Sequence, residues 1–367
     1  MSEISVNSIL DASGGATTNI NGFTPTVSNM AGRNRIINGD MRIDQRNAGA
    51  AVTAGSSRVF LTDRFSSSNN TATGTITAQQ STLGNSKSLK ITTTTAITDL
   101  ETTKFMRGVQ HITEAQNVFD LNGKTVTISF KVETNWTGNL SIATLGNGKS
   151  YVVNVAVASG TNNISTVIML EATTVATNDN ALGLEVFIGT NQEGTYQTAT
   201  TGAWLAGVFF CSTSSTQWAK TTGNFINITD LQLEEGSVAT PFEHRQYGQE
   251  LALCQRYYER FTSESASATL ITGAIVSGAT SGQGSYKLVT TMRATPTLSD
   301  NSATSTFAYS DGATATVVTA ISLAGSQSNT KMATINFSTA GGLTALRPYR
   351  IEANGTVAAF LGFSSEL

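Results

Sequence analysis

Charge is what this sequence has least of. Lys, Arg, Asp and Glu make up 13% of its 367 residues, about half the share of an average soluble domain. The net charge is −3, with no basic block and no run of like charges. That excludes a nucleic-acid partner, because phosphate neutralisation needs a concentrated cationic face. Histidine is nearly absent. His111 and His244 are the two present, and neither has a His, Cys or Asp at metal-ligand spacing. Two cysteines, Cys211 and Cys254, make no disulfide framework. No apolar run approaches the length of a membrane span, which argues against membrane insertion. The opening MSEISVNSIL has neither the basic start nor the apolar core of a signal peptide. Catalytic signatures are missing too. There is no Gly-x-Ser-x-Gly elbow, no phosphate loop and no coil-period repeat. Glu234 and Glu235 are adjacent, so on a strand their carboxylates point to opposite faces. Glycoside hydrolysis needs two facing across one bond. The expectation is a chain that is not an enzyme and needs no cofactor.

Thr, Ser, Asn, Gly and Ala take the place of the missing charges. Val, Ile, Leu and Phe recur in strand-length bursts, which argues for folded β-structure over disorder. The chain pivots on Phe225 to Phe261. There Ile226 and Ile228 alternate with polar residues, as do Leu231 and Leu233, but the two pairs are out of register by one. A strict period of two would bury Asp230, so a bulge near Thr229–Asp230 or an inward carboxylate is expected. Glu234–Glu235–Gly236 reads as a solvated turn, and Pro241 as the domain exit. From Tyr247 the period changes: Tyr247, Leu251, Cys254, Tyr258 and Phe261 follow a four, three, four, three spacing, that of a helical seam. Such a helix packs on its own domain, or on its domain and on symmetry mates as well. At about four turns it is too short to hold an oligomer alone.

The rest divides around this pivot. Residues 1–33 have nothing with which to bury a core and need a partner to become ordered. Residues 34–245 carry alternating strands: Val126 to Val132, Tyr151 to Val157, Leu182 to Ile188. Trp204 to Cys211 is apolar on both faces and is expected as a central strand, with Trp204 and Cys211 in the core. Many short strands with Gly and Asn turns predict a jelly-roll-like β-sandwich. Residues 246–262 form the linking helix. Residues 263–367 offer strands at Leu270–Ile275, Tyr286–Thr291, Ala315–Leu323, Met332–Phe337 and Val357–Phe363, read as a second, C-terminal β-sandwich. The fold class is therefore all-β.

Particular phrases carry a resemblance. LQLEEGSVATPFEHRQYGQELALCQRYYER, Leu231 to Arg260, resembles the junction in many tailed-phage fibre and appendage proteins. There it closes a carbohydrate-binding-module-like sandwich and starts a C-terminal knob. NRIINGDMRIDQR, Asn34 to Arg46, resembles the first strand of such sandwiches. Thr62–Asp63–Arg64–Phe65 is similar to the short element that follows, with Phe in place of Trp. TMRATPTLSD, Thr291 to Asp300, and the ending AAFLGFSSEL are similar to phrases of fibre C-terminal domains. The opening segment is similar to the start of cyanophage fibres.

The resemblance implies a virion fibre protein of a tailed phage. Residues 1–33 would dock on other virion proteins or wind with their copies. A threefold assembly is implied, with Tyr247, Leu251, Cys254, Tyr258 and Phe261 as the oligomerisation seam of a homotrimer. A host surface glycan or receptor is the implied partner; the alternative is a structural virion component whose sandwich serves assembly. It further implies that Asp40, in Asn38–Gly39–Asp40, and Asp230 share a structural Ca²⁺, against the plainer reading that Asp230 caps a bulge. Sugars are held by aromatic faces and fixed polar groups. The aromatics expected in or near loops are Trp136, Trp218, Tyr151 and Tyr196, with Tyr286, Tyr309 and Tyr349 in the C-terminal region. For each, ordinary packing is the plainer reading.

Overall fold

The computed structural model describes residues 32–367. They fall into two compact units that divide between Arg245 and Gln246. The expected attachment segment lies outside the described residues apart from Gly32 and Arg33.

In chain order the strands of the first unit are β1 (Val52–Thr53), β2 (Val59–Thr62), β3 (Phe65–Asn69), β4 (Thr75–Leu83), β5 (Ser86–Thr95), β6 (Phe105–Glu114), β7 (Thr125–Thr134) and β8 (Gly138–Gly146). There follow β9 (Lys149–Val157), β10 (Gly160–Met169), β11 (Leu182–Ile188), β12 (Asn191–Gln192), β13 (Gln197–Thr198), β14 (Trp204–Ala206), β15 (Cys211–Ser212) and β16 (Phe225–Glu235). Sheet I has the order β1-β4-β5-β16-β7-β10, and sheet II the order β14-β9-β8-β11-β6-β3-β2, with β12 also paired to β6. Both are antiparallel throughout, so one face of each can stay wet. Alternation decides which. Val126, Ile128, Phe130 and Val132 of β7 and Leu184, Val186 and Ile188 of β11 share a single buried cluster. Each such side chain contributes about 1.5–3 kcal/mol on leaving water.

Strand β16 is interrupted where the out-of-register pairs required it. Its pairing with β7 shifts between Thr229 and Gln232. Asp230 sits at φ 55°, a left-handed conformation that costs a non-glycine residue about 1–2 kcal/mol. Leu231 and Leu233 thereby stay in the core.

Three local expectations are corrected. Asn34 to Arg46 forms turns, not a first strand. It lies along β16 through Arg35 N–H to the Leu233 carbonyl (2.9 Å) and Leu231 N–H to the Gly39 carbonyl (2.8 Å). The approach is so close that a Cβ at Gly39 would stand 2.2 Å from the Leu231 oxygen. The fully buried Asn38 fastens the turn, donating to the carbonyls of Ile43 (2.8 Å) and Asp63 (2.9 Å). Glu234 is no solvated turn residue. It is 1% exposed and accepts from Thr240 N–H (2.8 Å) and Thr240 Oγ1 (2.6 Å). Trp204 to Cys211 is not a central strand: β14 pairs only with β9, and Gly207 and Val208 after it are exposed, although Cys211 is fully buried as expected.

The second unit begins with α1 (Tyr247–Gln255) and continues through β17 (Tyr258–Thr262), β18 (Thr269–Val276), β19 (Ser281–Lys287), β20 (Thr297–Asn301), β21 (Phe307–Ser310), β22 (Ala315–Leu323), β23 (Met332–Thr339), β24 (Pro348–Ala353) and β25 (Phe360–Ser364). Instead of two facing sheets, β18-β19-β23-β22-β21-β24 close into a barrel, beside a three-stranded sheet β17-β25-β20. The expected helix through Phe261 stops at Gln255. Tyr258 to Thr262, rich in residues that favour strands, pairs with β25 instead.

Candidate functional site

Two of the four aromatics expected at a glycan surface are core residues. Trp136 is 8% exposed and Trp218 1%. Each indole N–H is satisfied by a backbone carbonyl, Phe225 (3.0 Å) for Trp136 and Gly189 (2.9 Å) for Trp218. That removes the one reason a Trp has to stay near water.

The other two are at the surface, in separate places. Tyr151 lies on β9 directly opposite Trp204 of β14. The rings meet at 5.6 Å, tilted by 56°. They form one wall of a cleft of about 600 Å³, whose lining includes Met169, Glu171 and Gly202. Strand β14 is three residues long and its outer edge is unpaired, so the Trp204 ring stands at the margin of the sandwich. Its indole N–H is anchored on the Met169 carbonyl at 2.8 Å. The Tyr151 hydroxyl makes no hydrogen bond to the described residues. Glu171 pairs with Lys149 at 2.5 Å, both partly exposed. An aromatic wall with a carboxylate and an ammonium at its rim suits a sugar ring, apolar on its C–H faces and hydroxylated at its edges. Glu171 is the one acid in the lining, so the cleft lacks the carboxylate pair that hydrolysis needs. Trp204 was legible only as a core residue. The one available signal was Gly202 just before it, a turn residue where a central strand would have continued.

Tyr196 is 41% exposed and packs on Phe210. It borders the outer face of sheet II, where Arg107 lies over the rings of Phe210 (3.3 Å) and Phe105 (4.1 Å) and donates to Gln192 Oε1 (2.5 Å). Burial pulls the Arg107 guanidinium down to about 10. On the same face Glu185 accepts from Gln110 Nε2 (2.8 Å), and burial raises its carboxyl above the usual range.

The residues for a structural cation do not fit one. Asp40 pairs with Arg42 Nε at 3.2 Å and Asp230 with Lys131 Nζ at 2.8 Å. Among the described residues no three His, Cys, Asp or Glu side chains stand close enough to hold a metal. Calcium asks for six to eight oxygens, and here each carboxylate already has its own cation.

The proposed seam is split. Tyr247 is 58% exposed, whereas Cys254 and Tyr258 are fully buried within the second unit. The Tyr258 hydroxyl bonds both carboxylate oxygens of Asp300 at 3.0 Å, and Phe261 stacks on Tyr286. The C-terminal tyrosines are likewise structural. Tyr309 and Tyr349 are buried, and Tyr286 donates to Glu259 Oε1 at 2.7 Å.

No protein-family profile and no curated protein matches the chain. Solved structures overlap it in part. The enzymatically active domain of tailspike protein 4 of bacteriophage CBA120 matches over 55% of this chain and 21% of its own, with 12% identity and a TM-score of 0.29. The match thus spans about a fifth of that solved domain's length. A family 11 carbohydrate-binding module of a Clostridium thermocellum cellulosomal cellulase matches over 52% and 98%, with 11% identity and a TM-score of 0.28. A tandem CBM22 domain from Paenibacillus barcinonensis matches over 82% and 93%, with 10% identity and a TM-score of 0.26.

Proposed function

We propose that this chain is a non-enzymatic, glycan-binding fibre component of a tailed-phage virion. The observation that carries the binding half is the cleft beside Tyr151 and Trp204, an aromatic wall with a single acid at its rim. The virion half rests on the phrases Leu231 to Arg260, Asn34 to Arg46 and Thr291 to Asp300. With it go attachment to other virion proteins through residues 1–33 and assembly as a homotrimer. A microarray of bacterial surface oligosaccharides tests the first half. Wild-type chain is expected to bind a subset of spots, and Trp204→Ala to weaken that binding by about tenfold, the worth of one aromatic–sugar contact. A wild type that binds no spot removes the reading. Immunogold labelling of virions with antibody to residues 263–367 tests the second. Label at the distal end of a tail supports receptor binding, and label at a neck or on capsid vertices supports the structural alternative. Light scattering tests the trimer: a mass of one chain at micromolar concentration removes it.

A further inference from the structure

The bulge in β16 does more than keep Leu231 and Leu233 inward. It turns Asp230 onto the outer face of sheet I, where its carboxylate meets Lys131 Nζ at 2.8 Å. Beside that pair lies a cavity of about 470 Å³. Its floor is the polar face of β7 and β10, on which Ser129 stands opposite Ser165 and Lys131 opposite Asn163. Its wall is Pro241 and Phe242, with the His244 ring edge-on to Phe242 at 5.0 Å.

We propose that this cavity is a second saccharide site, built on Asp230, Lys131, Asn163 and Phe242. It rests on the glycan-binding reading and extends it to the opposite sheet of the sandwich.

Three features support the assignment. The first is unspent hydrogen-bonding capacity. The side chains of Ser129, Asn163 and Ser165 make no hydrogen bond to the described residues, yet all three line one cavity. A ligand with several hydroxyls can use them, since each hydroxyl both donates and accepts. The second is charge. Asp230 and Lys131 neutralise each other, so the lining has no fixed excess with which to hold an ion. They instead present an acceptor and a donor side by side, to which two neighbouring hydroxyls of a neutral sugar can bond, while the Phe242 face takes the C–H side of the ring. The third is rigidity. Thr240 is tied to Glu234 (2.8 Å), and Glu243 N–H to Gln232 Oε1 (2.9 Å). The Glu243 carboxylate in turn accepts from Gly32 N–H (2.7 Å) and Asn34 N–H (2.8 Å). Pro241 and Phe242 are thus fixed from both sides, and a wall already in place costs the ligand no loop-ordering entropy. The buried Glu234 and Gln232, which serve no purpose in the core, are accounted for by this clamp.

The test uses the full chain and the strongest-binding oligosaccharide from the microarray, titrated by calorimetry. Wild type is expected to bind two molecules per chain, and Trp204→Ala to weaken one of the two events about tenfold while leaving the other unchanged. Asp230→Asn, which retains a residue tolerant of the left-handed backbone, and the exposed change Asn163→Ala are each expected to weaken that other event about tenfold. Phe242→Ala is expected to remove it. Melting temperatures of the two conservative variants, measured alongside, are expected to stay near wild type. One molecule per chain in the wild type, weakened by Trp204→Ala and indifferent to Asp230→Asn and Asn163→Ala, overturns the second site and leaves the first standing. A wild type that binds no oligosaccharide overturns both.

Discussion

Trp136 and Trp218 stack with ring planes 3° apart and centroids 6.3 Å apart. Both indoles are buried in the core of the first unit. Trp136→Ala or Trp218→Ala is expected to cost about 3–5 kcal/mol, the range for removing a buried aromatic. Trp204→Ala is expected to cost only about 1–2 kcal/mol, one backbone hydrogen bond and part of a ring. Urea denaturation measures all three. Similar costs for Trp204 and Trp218 would contradict the placement of Trp204 at the margin.

His111 packs against Phe65 at 5.0 Å between centroids and is 1% exposed. Burial, reinforced by the Arg64 charge, holds its pKa well below the ordinary 6.5. The unfolded chain therefore takes up a proton near pH 6.5 that the folded chain refuses. Stability from this residue is complete above about pH 6.5 and falls as the pH drops toward the depressed folded value, by up to about 1.4 kcal/mol per pH unit. Denaturation of wild type and His111→Gln between pH 7.5 and about 5 is expected to show the steeper loss in wild type. Parallel curves would place the titration elsewhere.

Removing divalent cations is expected to leave melting unchanged. Asp40 and Asp230 each face an Arg or Lys within 3.2 Å, and such a pair already neutralises the carboxylate a metal would need. Thermal melting in EDTA, and again with added Ca²⁺, checks this. A rise on adding Ca²⁺ would reinstate a shared cation.

Tyr258 is an interior residue of the second unit, so Tyr258→Phe is expected to lower stability without changing assembly. The lost hydroxyl deprives the Asp300 carboxylate of a donor, worth about 1.5–3 kcal/mol. Calorimetry reads the stability and light scattering the mass. A fall in mass with stability unchanged would return Tyr258 to an intermolecular seam.

Much of the fold was legible because alternation survives wherever one face of a strand is wet. Val126 to Val132, Leu182 to Ile188 and Ala315 to Leu323 are strands as their periods predict. The bulge at Asp230 was legible as one of two solutions, since two core pairs one residue out of step require either a bulge or an inward carboxylate, and the structure takes the bulge. The pattern failed where a period admits two readings. The spacing of Tyr247 to Phe261 matches a helical seam, but only the pairing partner, β25, more than 90 residues downstream, decides that Tyr258 begins a strand. The aromatics failed differently. Trp136 and Trp218 stand beside turn residues, as loop aromatics do, and nothing local reveals that the carbonyls of Phe225 and Gly189 await their indoles. Glu234 looked solvated because its partner Thr240 lies past the turn it was assigned to.

The closed barrel of the second unit also limits how copies of this chain can meet there. A sheet that returns on itself, with β24 paired to β18, offers no free ladder of N–H and C=O groups to a neighbouring strand. Strand exchange and strand addition, common routes by which β proteins join or aggregate, are closed to those six strands. Copies can touch across them only through side chains, and the outer rungs of β19 and β23 carry Ser281 and Ser338, Gln283 and Asn336, Ser285 and Thr334. Contacts between such uncharged groups are individually weak and easily exchanged with water.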